Sequence, residues 1–418
     1  MYQEHKQKAI LKYLKENAYK MCRKPSGNFT CAYVEPGANY INSLWDWDSR
    51  FGVEALFDLT EKLKNSSDFD YLATKEMIIE CGKGCIINFL DKQLEDGFTP
   101  IGVFSGDDWF ERIKHAHDSG NVNNQMKPVL AQFIRIVGDY SNDFKFFDLD
   151  KVKKYFAYYD EHQLDAWSNL YVWQNDLMVG IDNNPGVFFR PSKSSADIYL
   201  NALMVEDLNA FAYVLEKLGD KEAKLYKDKA NALKDLINKE MYDERDAFYY
   251  TQDVIVDRTV EKTGYHHGFP LENKGLPIKI RSLAGFFPLW AGIPTKEQVE
   301  DIVKKNFNDD SILCKAGIRT LAKNEKMFDE RESNNPSNWL GPVWTIGNVV
   351  VWKALKKYGF DDLAETIRQK TIDLLGDSVI NDGGFYESYR GNGEHMLFLG
   401  FLSWNCLVSE MLDENIKL

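Results

Sequence analysis

The sequence predicts an all-α protein of paired helices, and three observations carry that prediction. Apolar residues recur at helical spacing in about a dozen stretches. Loops rich in Gly, Asn, Asp, Pro and aromatic residues separate them. Strand signals are short, AFYYTQD at 247–253 being an example, and strands do not alternate with helices as a doubly wound sheet requires.

The elements follow in chain order. The start, MYQEHKQKAILKYLKEN, gives an amphipathic charged helix over 5–20 and lacks the apolar core of a signal peptide. Residues 50–64 take up the helical spacing after Ser49, whose hydroxyl suits a helix cap. Over 73–92, Cys81 and Cys85 fall one turn apart and read as packing thiols rather than metal ligands. Further helical stretches cover 124–138, 148–160, 194–218, 220–239, 281–291, 295–305, 343–358, 360–375 and 399–413. No apolar run approaches membrane-spanning length. No Gly/Ser linker, low-complexity segment or short repeat divides the chain, so residues 1–418 read as one domain. Twelve helices can close as six inner and six outer helices with their loops gathered into a pocket at one end. An open helical array gives the same periodicity.

Composition narrows the function. Hydrophobic residues at 44% and charged residues at 28% are ordinary for a folded, soluble chain. The aromatic content of 14% is high, and Trp and Tyr offer flat apolar faces with a polar edge that suit sugar rings as well as cores. A net charge of -13 argues against nucleic acid or an anionic membrane as partner. Six cysteines without a paired framework imply a reduced, cytoplasmic protein. HAHD at 115–118 has no second ligand cluster, so no metal and no cofactor is expected.

Three loops concentrate the chemistry. In YINSLWDWDSRF, residues 40–51, Asp46 and Asp48 alternate with Trp45 and Trp47, beside Tyr40. Two rings and two carboxylates within four residues exceed what a helix cap needs, and they suit a sugar, which wants rings for its face and carboxylates for its hydroxyls. In GIDNNPGVFFRP, residues 180–191, Asp182 sits in a turn after YVWQNDLM, which contains Trp173. An Asx turn explains it plainly, whereas desolvation by the flanking rings would raise its pKa as a general acid requires. In DGGFYESYRGNGEHM, residues 382–396, Glu387 lies between Tyr386 and Tyr389, and Glu394 follows in a second Gly turn. Either glutamate can serve as the second carboxylate. One Asp and one Glu on separate loops, with Trp and Tyr platforms, are what glycoside hydrolysis requires.

These segments, in this order, resemble the (α/α)6-barrel glycosidases of glycoside hydrolase family 63 and, more distantly, the trehalases of family 37, along most of the chain. PGANYINSLWDWDSRF resembles their first-loop signature, and GIDNNP resembles Gly-x-Asp-Asn-Ser-Pro, whose Asp is the general acid. NWLGPVW resembles Tyr-Trp-Arg-Gly-Pro-Val-Trp of the substrate pocket, and FYESY with GNGE and LSW resembles the closing segment that carries the base. NNQMKPVLA at 123–131 resembles a Gln-Pro-Pro loop whose Gln contacts the glycone. The resemblance implies the closed barrel, Asp182 as acid, Glu387 as base and Gln125 as a glycone contact.

It further implies an inverting α-glycosidase acting on a small α-glucoside or α-mannoside, glucosylglycerate and mannosylglycerate included. Trp45, Trp47, Trp339, Trp344 and Trp404 become candidate walls, with core packing an equal alternative for Trp344 and Trp404. Asp48 would hold sugar hydroxyls, Gly341 would shape the 339–344 turn, and Arg190 would face a substrate carboxylate or pair with an acidic neighbour. Leu340 replaces the family's Arg, Met126 and Lys127 interrupt its Pro-Pro pattern, and Asn184 stands where Ser is common. His266 and His267, in GYHHGF, read as a surface loop or a cover over the pocket. A sugar 2-epimerase on the same barrel and a noncatalytic sugar-binding scaffold remain as alternatives.

Overall fold

The computed structural model describes residues 2–106, 108–120, 123–255, 274–331 and 337–418. His266 and His267 therefore lie outside the described residues. Helices alternate between an outer and an inner position as the chain proceeds. The outer ones are α1 (Tyr2–Asn17), α3 (Tyr71–Asp91), α6 (Leu149–His162), α8 (Ala223–Glu240), α10 (Lys296–Asn306) and α12 (Asp361–Asp382). The inner ones are α2 (Asp46–Leu63), α5 (Leu130–Ser141), α7 (Ile198–Leu218), the short α9 (Phe287–Trp290) with a preceding 3-10 turn, α11 (Thr345–Tyr358) and a 3-10 helix over Ser403–Met411. A further helix, α4 (Trp109–Asp118), stands outside this alternation and is not signalled by the helical spacing.

Closure is visible in the packing of the inner elements. α2 packs on α5, α5 on α7, α7 on α9, α9 on α11, α11 on the Ser403–Met411 helix, and that last helix returns to α2. α1 likewise meets α12, so the outer ring is joined where the chain ends meet. The chain folds as an (α/α)6 barrel.

Three differences from the periodicity have physical reasons. The stretch expected as helix from 124 begins only at Leu130, because Pro128 lacks an amide proton and Lys127 gives its backbone N–H to the Asp46 carboxylate at 2.9 Å. The last inner element is 3-10 rather than α. There Ser403 and Asn405 turn their side chains to Asp48 Oδ1 and to the Phe401 carbonyl, in competition with the helical ladder. α2 begins at Asp46, so Ser49 lies inside the first turn and donates to the Trp45 carbonyl instead of capping.

α7 corrects another expectation. Its 21 residues, with a mean hydropathy of 1.2, are long and apolar enough to cross a membrane, yet 83% of that stretch is buried inside the protein. An inner barrel helix is apolar all round because other helices surround it. Short antiparallel strand pairs tie the loops, among them Ser43–Trp45 against Gly102–Phe104, which fixes the chain entering α2.

Candidate active site

The segments that line one cavity come from the N-terminal ends of the inner helices. Asp46, Trp47 and Asp48 open α2, Lys127 precedes α5, Asp182 precedes α7, Trp339 and Trp344 precede α11, and Glu387 and Phe401 precede the last 3-10 helix. Helix N-termini carry partial positive charge, so this end of a barrel favours carboxylates. The cavity is about 170 Å³, small for a ligand pocket.

Its wall is an aromatic cage. Trp339 and Trp344 stack with ring centroids 4.1 Å apart and planes 9° from parallel. Trp47 leans on Trp339 at 5.9 Å and on Trp404 at 5.1 Å, closing the cage. Trp45 and Tyr40 meet edge-on at 6.4 Å and are only half-buried, so they sit nearer solvent. Two asparagines bind the acid loop to the tryptophan loop. Asn183 accepts from the Trp339 amide at 2.6 Å and donates to Asn338 at 3.1 Å, while Trp344 gives its indole N–H to the Asn338 carbonyl at 2.8 Å. Trp404 differs: its indole N–H is buried and has no partner among the described residues.

Three carboxyls face this space, and each is pushed above its ordinary pKa. Burial is the main cause for Glu387, with repulsion from Asp48 and Asp182 added, and together they lift it to about 8. The Tyr40 hydroxyl opposes that rise by donating to Glu387 Oε1 at 2.9 Å. Glu387 Oε2 is buried and has no hydrogen-bond partner among the described residues. Burial lifts Asp48 to about 7 although Ser403 donates to it at 3.0 Å. Burial also raises Asp182, against a hydrogen bond from Ser337 and the positive charge of Lys127. The charges of these carboxyls repel one another, so ionising one of them makes the next harder to ionise.

Asp46 also lines the cavity and is saturated with donors. It accepts the Trp47 amide at 2.7 Å, the Lys127 amide at 2.9 Å and the Lys127 ammonium at 2.8 Å.

The cavity thus gathers Tyr40, Trp45, Trp47, Asp48, Asp182, Trp339, Trp344, Glu387 and Trp404 from the residues nominated in the sequence. The remaining nominees are engaged elsewhere. Gln125 is fully buried between the Thr99 amide and the Tyr155 carbonyl, both at 3.4 Å, and does not line the cavity. Trp173 donates to Asp197 Oδ2 at 2.9 Å and braces the start of α7. Arg190 pairs with Asp253 and donates to Ser195 at 3.0 Å, which is the acidic-neighbour alternative.

Gly341 has φ +139°, and a Cβ there would come within 2.4 Å of Phe328, so its role is the turn. Tyr386 stacks on His395 at 4.2 Å outside the cavity lining. Glu394 is exposed, pairs with Arg390 at 2.8 Å and borders a separate cleft with Lys315 and Asp377. Leu340 is half-buried and is not part of the cavity wall.

Sequence reasoning passed over Lys127, Ser337, Met178 and Phe401, all of which line the cavity. Lys127 stood inside a nominated motif, but as an interruption of it.

The family model for the mannosylglycerate hydrolase MGH1-like glycoside hydrolase domain matches residues 86–394. The chain belongs to this glycoside hydrolase family. It is 30% identical over 108 residues to mannosylglycerate hydrolase MGH1 of Selaginella moellendorffii, covering 25% of this chain and 20% of that protein. Matches to the other leading curated relatives span 42% of their length or less. Among solved structures, the family 63 mannosylglycerate hydrolase from Thermus thermophilus in complex with glucose superposes with a TM-score of 0.67 at 16% identity, covering 96% of this chain and 98% of that one. Neutral trehalase from Saccharomyces cerevisiae superposes with a TM-score of 0.61 at 14% identity, covering 92% and 73%. These likenesses establish the barrel, and the trehalase one is the more distant.

Proposed function

We propose that this family member hydrolyses a small α-glucoside or α-mannoside of the glucosylglycerate or mannosylglycerate kind with inversion, Asp182 acting as general acid and Glu387 as general base. The observation that carries the reading is Glu387: one carboxylate oxygen is oriented by Tyr40 while the other, beside a tryptophan cage, is buried with no partner among the described residues. A buried acceptor without a donor costs stability unless a ligand or water completes it. In the proposed reaction water gives a proton to Glu387 Oε2 and attacks the anomeric carbon. Asp182 protonates the glycosidic oxygen as its bond to that carbon breaks.

The carboxyl assigned as base is also the one lifted to about 8, so it must ionise for the reaction. Donors brought by a sugar and a water to its second oxygen favour that ionised form. The small cavity supports one sugar unit in the closed end, and the described lining contains carboxyls but no histidine, which favours hydrolysis over epimerisation.

NMR of the first anomer released from an α-glycoside panel tests the stereochemistry: the β-anomer is expected, and the α-anomer would overturn inversion. An α-glycosyl fluoride separates the roles, because fluoride leaves without protonation. Asp182→Asn should retain turnover of that substrate while Glu387→Gln loses it, and the reverse pattern would exchange acid and base.

A further inference from the structure

Among the described residues that line the cavity there is one cation, and no part of the proposed chemistry uses it. Lys127 lies on its wall almost fully buried, at 3% side-chain exposure, and its ammonium is 2.8 Å from Asp46 Oδ1 and 5.6 Å from the centre of the Trp47 ring. An ammonium has three donors, and Asp46 is the only hydrogen-bond acceptor it meets among the described residues. Its alkyl stem runs beneath the acid loop: a Cβ on Gly180, at φ +94°, would fall 3.2 Å from Lys127 Cδ and 3.3 Å from Cε. Gly180 therefore admits both the turn and the lysine, two residues before Asp182.

The depth of these groups identifies which part of a substrate they meet. Asp46 is fully buried and Lys127 nearly so, whereas Tyr40, Trp45 and Met178 are half-buried. The closed end of the cavity thus holds the lysine, and the sugar that enters first is the glycone. Gln125, the residue of this loop expected to meet the glycone, is instead tied to the Thr99 and Tyr155 backbone.

We propose that Lys127, anchored by Asp46, is a specificity-determining residue of the glycone subsite that donates to one particular sugar hydroxyl. This rests on the glycosidase reading above. Asp46 and Trp47 fix the ammonium in place, so its free donors point in directions set by the protein. A charged donor discriminates strongly against a sugar that lacks the matching oxygen, because the buried ammonium is then left short of partners.

The test uses full-length protein titrated with D-glucose, D-mannose and their singly deoxygenated analogues, followed by tryptophan fluorescence, together with hydrolysis of the α-glycoside panel. Wild type should bind at least one parent sugar and lose at least about tenfold affinity when one hydroxyl is removed. Lys127→Met should bind the parent at least about tenfold more weakly and no longer feel removal of that hydroxyl, while keeping the penalties at other positions. Lys127→Arg should restore part of the discrimination. Because Lys127→Met leaves Asp46 buried without its cation, the Asp46→Asn/Lys127→Met double variant serves where the single variant fails to fold, and the same loss at one hydroxyl is expected. A variant that binds every sugar more weakly with the full deoxy profile intact, or binds as wild type does, overturns the role of Lys127 alone. A wild type that neither hydrolyses a glycoside nor binds a sugar overturns the glycosidase reading and this proposal together.

Discussion

Two charge clusters are built on the same inner helix, and they are treated differently. Further along α2, Arg50 and Glu54 form an ion pair, and half-buried Lys353 of α11 bridges Glu54 at 3.0 Å and Glu410 at 2.8 Å. Two cations face two anions there. Burial pushes Glu54 upward, but Arg50 and Lys353 outweigh it and hold the carboxyl well below its ordinary range, whereas Glu410, which meets Lys353 but not Arg50, is lifted by burial to about 7. At the cavity end, Lys127 pairs with Asp46, and among the described residues Asp48, Asp182 and Glu387 have no cation at ion-pair distance. Their pKa values rise instead. Paired charge joins helices, whereas surplus carboxyl in a buried pocket favours the protonated form.

The largest effect should come from removing the surplus. Asp182→Asn and Glu387→Gln are each expected to lower kcat on an unactivated glycoside by about 10²–10⁴-fold. Glu387→Gln should also raise stability by about 1–2 kcal/mol near pH 8 and above. The sign follows from its raised pKa. The folded state tolerates this group fully below its unfolded pKa and loses stability as pH climbs through about 8, so the gain should vanish near pH 4 in thermal melts. A variant that loses activity and stability together would erase the distinction between the two clusters.

Breaking the balanced cluster should give the opposite profile. Lys353→Met is expected to cost about 3–5 kcal/mol in denaturant unfolding, because it leaves Glu54 and Glu410 facing each other, with KM of the surviving folded enzyme unchanged. A smaller, sharper test is Tyr40→Phe. Losing the hydroxyl removes a bond that lowers the Glu387 pKa, so the acidic limb of the kcat/KM profile should move to higher pH, with roughly a tenfold loss near neutrality. An unmoved limb would separate Glu387 from the base role. The smallest effect is expected from Leu340→Arg, which restores the family's residue off the cavity wall; relative kcat/KM across the glycoside panel should stay within about twofold.

Much of the fold was legible because helical periodicity is local. Nearly every inner and outer element announces itself by apolar spacing, and α4 escapes because ten residues, with Ile113 as the one buried side chain, are too short a stretch for the spacing to repeat. Asp182, Glu387 and the tryptophans of the cavity wall were legible as loop motifs. Gln125, Trp173, Arg190, Tyr386 and Glu394 carried comparable motif signals, yet satisfy their polar atoms or pack their rings away from the cavity.

By itself, then, the sequence determined the helices, the order of the loops and the residue types delivered to one end of the barrel. The tertiary structure decided which polar atoms find partners and which are left exposed to a ligand. Tyr40 and Glu387 meet across 347 residues, and Asn183 and Trp339 across 156. Such pairings exist only once the inner ring closes, because the spacing of neighbours along a chain fixes nothing about donors and acceptors so far apart in it. The same closure turns Lys127 from a break in a motif into a cation on the wall of the cavity.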